Sequence, residues 1–114
     1  MELYLIHLSG QGDTDIRLVR KDGWDALDNG VFSDQMKADY EATFGDAWGE
    51  EQDEMVAELM KMGGGSAEND VALSIPAVVI DGKSASFADL SDYTKFIRNH
   101  PEITIVEEYE GYIY

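Results

Sequence analysis

The sequence predicts an α+β fold, a mainly antiparallel sheet of about five strands with two to four helices on one side. Three observations predict it. Glu2 to Ser9 carries apolar side chains on both alternating sets, the pattern of a strand covered on both faces and placed inside a sheet. Met36, Tyr40 and Phe44, and later Leu90, Tyr93, Phe96 and Ile97, recur at helical spacing. Short β-prone runs flank the turn signals Gly10-Gln11-Gly12-Asp13 and Asp81-Gly82. With 114 residues, 44% of them apolar, the chain suits one domain over 1–114 that buries enough surface to offset its ordering entropy.

The elements follow in order. After the first turn, Asp15 to Arg20 reads as a second strand with Ile16 and Leu18 on one face and Arg17 and Val19 on the other. Lys21 to Trp24 opens a short helical turn with Asp22 as N-cap, Asn29-Gly30 closes it, and Trp24 and Leu27 face inward. Ser33 caps the next helix, over 33 to 44, with Phe32 packed against Met36. Gly45 and Gly49 each cost a helix about 1 kcal/mol relative to alanine, so a break separates it from a helix over 50 to 62. That helix is expected to bury Met55, Val56, Leu59 and Met62. Gly63-Gly64-Gly65-Ser66 ends it and begins a flexible loop near 63–70. Val71 to Ile80 is strongly β-prone, with Pro76 marking an edge, bulge or strand end. Lys83 to Phe87 is a short strand, and Ala88 to Asn99 a helix stopped by His100-Pro101. Glu102 to Tyr109 is the last strand; the sequence leaves the strand order open.

The absence of cysteine removes disulfides, thiolate metal sites and thiol nucleophiles. His7 and His100 are the only histidines and do not form a close metal-binding pair. His7 reads as a hydrogen-bonded strand residue, with general-base chemistry as the alternative, and His100 as a favourable charge at a helix C-terminus. No serine lies in GxSxG or SxxK. The Gly10–Gly12 segment lacks the third glycine of a dinucleotide fingerprint and precedes a strand, so it reads as a hairpin turn, and the run at 63–65 lacks the following lysine of a P-loop. The acids Asp13 and Asp15, or Asp22, Asp25 and Asp28, do not match a calcium-binding loop. No cofactor, metal or catalytic residue is expected. The apolar start, Met1 to Ser9, is too short to span a membrane and lacks the basic flank of a signal peptide, which predicts a cytoplasmic protein.

Charge is the informative feature. Twenty-four acids face eight lysines and arginines, a formal charge of -16 that repels nucleic acid and anionic membranes and favours a basic protein partner. Between Asp34 and Glu58 nine acids stand against Lys37 alone. Glu50, Glu54 and Glu58 stack like charges at i, i+4 and i+8, each pair costing a few tenths of a kcal/mol. A helix of 25 residues would span about 38 Å, roughly one net charge per 5 Å, against one phosphate per about 3.4 Å in a nucleic-acid strand. A second acidic group, Glu102, Glu107, Glu108 and Glu110, lies in or after the last strand. The ending Glu108 to Tyr114 interleaves tyrosine with acid, a composition suited to an interface, although the alternation of Tyr112, Ile113 and Tyr114 equally suits a packed strand.

In charge and size, and in no residue motif, the chain resembles phage or plasmid inhibitors that mimic DNA to block restriction or CRISPR nucleases. The expected function is therefore a small non-enzymatic inhibitor or binding protein that occupies the basic nucleic-acid-binding surface of a partner such as a nuclease. Asp39, Asp46, Glu50, Asp53, Glu54, Glu58, Glu107, Glu108 and Tyr112 are its candidate contact residues. Alternatives are an immunity-type protein that neutralises a toxin and a generic interaction domain whose charge only solubilises it. Salt adaptation ranks low because lysine outnumbers arginine, and a small enzyme would rest on His7. A monomer and a homodimer both fit.

Overall fold

In the computed structural model, which describes residues 1–29, 33–45, 48–62 and 71–112, the apolar run at the N-terminus becomes β1 (Glu2–Gly10), an inner strand. A two-residue turn returns the chain antiparallel as β2 (Asp13–Val19). Gln11 and Gly12 both take positive φ, 52° and 81°, the geometry whose twist matches a right-handed hairpin. Then come α1 (Lys21–Asn29), α2 (Asp34–Phe44), α3 (Glu50–Met62) and a helical turn at 71–74, α4. The chain continues through β3 (Val79–Ile80), β4 (Lys83–Ser84), β5 (Ser86–Phe87), α5 (Leu90–Asn99) and β6 (Thr104–Tyr112).

The fold is α+β, but the sheet differs from the expected one. It is a four-stranded mixed sheet ordered β5-β2-β1-β6, accompanied by a β3-β4 ribbon, and helices cover both of its faces. The reason lies in β1 itself. Ile6 and Leu8, with Val19, pack against Ala26 and Leu27 of α1, Met36 of α2, and Val71, Ala72 and Ile75. Leu3 and Leu5, with Ile16 and Leu18, pack on the other side against Val78, Ile80 and Ala85 and against Tyr93, Phe96 and Ile97 of α5. A strand with two apolar faces needs two covers. Because β5 and β6 both run parallel to β1, α5 acts as the crossover between them.

Several local expectations are corrected. Val71 to Ile80 contains α4 and only a two-residue strand, because Val71, Ala72 and Ile75 fall at helical spacing and bury one face in the first core. The expected strand Lys83 to Phe87 divides at Ala85, whose N–H donates to the Val78 carbonyl while its own carbonyl accepts from Leu18 N–H. That switch joins the ribbon to the sheet. The last strand starts and ends later than expected, and Asp22 sits inside the first turn of α1. Gly23, also in α1, is buried against Ile75, Met36 and Val19, and an added Cβ would come within 2.9 Å of Ile75 Cγ2. The glycine sets how closely α1 approaches the core.

Other boundaries agree with the sequence. Ser33 Oγ accepts from Met36 N–H, and Gly45, at φ 78°, closes α2 by donating to the Glu41 carbonyl. The last helix differs at its start: Asp89 caps it through Asp92 N–H, so α5 begins at Leu90 and not at the expected Ala88. Asp81 and Gly82 repeat the positive-φ turn of the first hairpin. The expected flexible loop near 63–70, the closing Gly30 and the staple residue Phe32 lie outside the described residues. Among the described residues, no helix is long and apolar enough to cross a membrane.

Candidate acidic interaction surface

The structure separates the candidate residues into three groups. Asp39 belongs to the interior. It is 6% exposed, faces the same side of α2 as Met36 three residues earlier, and accepts from Arg20 Nε at 2.7 Å and Nη2 at 3.5 Å. Already paired and covered, it presents no charge to a partner, and its assignment as a contact residue is corrected. Asp46 lies outside the described residues.

The second group is α3. Glu50, Asp53, Glu54 and Glu58 are all exposed, and Glu51 adds a fifth carboxylate at the same end. The helix start is fixed by Gly49 N–H donating to Gln52 Oε1 and by Trp48 Nε1 donating to Asp53 Oδ1 at 2.7 Å. Trp48 anchors that junction, packing against the first core and edge-on to Tyr40 at 5.0 Å. Met55 was expected on the buried face but is 44% exposed, while the side chains of Val56, Leu59 and Met62 are outside the described set. Among the described residues, no lysine or arginine pairs with an α3 acid.

Three of the eight lysines and arginines are committed elsewhere. Arg17 holds both oxygens of Asp15 and donates from Nη1 to the carbonyls of Leu73 and Ile75, each at 2.6 Å, tying α4 to the sheet. Arg20 holds Asp39, joining the end of β2 to α2. Lys21 pairs with Asp25 one helical turn away, and that hydrogen bond raises the lysine pKa. Arg17, Arg20 and Lys21 thus serve the fold, and the α3 carboxylates, with Lys61 in the last turn as the one base on their helix, form no ion pair among the described residues.

The third group is on β6. Glu107 and Glu108 are exposed and Tyr112 is 54% exposed. A register shift between Leu3 and Tyr4 leaves Val106 as an extra residue, after which Glu108, Glu110 and Tyr112 stand beside Leu5, His7 and Ser9. Burial, and then the Glu108 carboxylate, raises the pKa of the Tyr93 phenol on α5. Farther along this face, beyond the apolar cluster under α5, an open depression of about 360 Å³ is lined by His7, Ser9, Glu110, Gly111 and Tyr112. The meeting of His7 with Glu110 was not legible in the sequence because it depends on the parallel register. Among the described residues, no three His, Asp or Glu side chains gather to hold a metal ion.

Comparison with known proteins gives no match: no family model, no curated protein and no solved structure aligns significantly with the chain. The functional reading therefore rests on this geometry alone.

Proposed function

We propose that the protein is a small acidic binding protein, an inhibitor by occupation, that covers the nucleic-acid-binding surface of a basic protein partner. The observation that carries this reading is the contrast in pairing. Asp15, Asp25 and Asp39 are held by Arg17, Lys21 and Arg20, whereas Glu50, Glu54 and Glu58 form an exposed row that pairs with no lysine or arginine among the described residues. Like charges at i, i+4 weaken a helix, so the row costs stability in the free protein and recovers it when lysines or arginines approach. A field from 24 acids against eight bases speeds encounter with a cationic surface and makes affinity fall with salt. The mechanism is competition for a binding surface and requires no catalytic group.

The test is capture of partners from a lysate rich in nucleic-acid enzymes, at low and moderate salt, with the wild type and an E50K/E54K/E58K variant. The expected result is one stoichiometric nuclease or nucleic-acid-binding protein held at moderate salt by the wild type, released by duplex DNA, and lost by the variant. A spread of basic proteins that washes off together with salt would reduce the acidic face to a solubilising surface.

A further inference from the structure

The strand β6 closes the sheet on one side, hydrogen-bonded to β1 and to no described strand beyond it. Its nine residues offer about 30 Å of edge at roughly 3.3 Å each, while the opposite edge, β5, has only two residues. Long edges invite the addition of another strand, and proteins blunt them with charge, bulges or covering elements. Here the bulge lies near one end, at Val106, and the remainder carries acids of a single sign, Glu107, Glu108 and Glu110. Such charge selects among strands. A second copy paired antiparallel through the middle of β6 would set these carboxylates against their counterparts, a destabilising arrangement. A strand bearing lysine or arginine would meet opposite charge on both faces.

We infer that the β6 edge is a strand-addition site for an extended basic segment of a protein partner. The inference rests on the reading that the partner is basic, and assigns β6 a role separate from α3. Added main-chain hydrogen bonds would supply affinity, and alternate side chains would supply selectivity. On the face shared with His7, Glu108 and Glu110 call for two basic residues spaced two apart, and the half-exposed Tyr112 calls for an apolar residue two further along. The depression beside His7, Ser9 and Glu110 leaves room for the end of a long cationic side chain.

The test titrates the full chain with the probe peptide Thr-Lys-Thr-Lys-Thr-Val-Thr and with two forms N-methylated on one or the other set of alternate amides. Binding is followed by NMR and amide hydrogen exchange. The expected result is increased protection within 104–112, with one methylated form binding at least tenfold more weakly and the other close to the parent. An E108K/E110K variant that melts normally should lose at least tenfold in affinity, while E50K/E54K/E58K stays within about twofold. Equal binding by all three peptides, protection on α3 instead of β6, or β6 protection that grows with protein concentration alone would overturn the proposal. Probe binding at β6 together with undiminished lysate capture by the α3 variant would refute the α3 reading and leave the edge standing. Loss of capture by that variant, without probe binding at β6, would refute the edge alone.

Discussion

The Arg17–Arg20 region and the α3 helix use carboxylates in opposite ways. In the first, each acid has a cation and the pair joins elements distant in sequence: Arg17 reaches α4, and Arg20 reaches Asp39 on α2. In α3, five acids are exposed along one helix whose single base is Lys61 in its last turn, and none of them forms an ion pair with a described lysine or arginine. A net charge summed over the chain hides this division. The paired charges of Arg17 and Arg20 tie elements of the fold together, whereas the acids of α3 stay exposed.

The largest expected break of this comparison is R17A, which strips two carbonyls and a carboxylate of their donor; it should cost about 3 kcal/mol in chemical denaturation. R20M should cost less, about 2 kcal/mol, because the loss leaves Asp39 covered and unpaired although the arginine itself is partly in water. Thermal melting of R20M should fall by about 10 °C. G23A should lose about 1 kcal/mol, the clash with Ile75 outweighing the gain in helix propensity.

On α3 the sign reverses. E54K replaces two like-charge pairs with two opposite pairs and should raise stability by about 0.5–1 kcal/mol in the same denaturation assay. If the proposed function holds, it should weaken partner binding at the same time. A variant that gains stability and keeps full affinity would show the row to be incidental.

The smallest effect concerns His100. Its Nδ1 donates to the Phe96 carbonyl and its Nε2 lies 3.5 Å from Asp81, and these contacts raise its pKa above 6.5. A raised folded-state pKa stabilises the protein fully below the unfolded value and ceases to do so as pH rises through the folded value. The stability difference between wild type and H100A should therefore be largest below about pH 6.5 and shrink as the pH is raised.

Much of this arrangement was legible in the sequence, for identifiable reasons. Local chemistry marked both hairpin turns, the Ser33 cap and the break between α2 and α3, since each depends on a few adjacent residues. The two apolar faces of β1 mark an inner strand, and the same pattern demands a cover on each side, which a one-sided arrangement of helices does not provide. What sequence could not supply was pairing over distance. The parallel register of β6 brings Glu110 to His7, and Arg20 reaches Asp39 across nineteen positions. One signal was available: Asp39 follows Met36 by three residues, on the face expected to be buried. The helical turn at 71–74 is hidden in the sequence because the β-branched residues of 71–80 outweigh the helical spacing of Val71, Ala72 and Ile75.

The most direct measurement of the central claim is the salt dependence of affinity for the captured partner, made with and without that partner's nucleic acid. Log K is expected to fall linearly with log salt, protein and nucleic acid to exclude one another, and E50K/E54K/E58K to flatten the slope. A ternary complex in which protein and nucleic acid bind the partner together, with a slope unchanged by the triple variant, would contradict it.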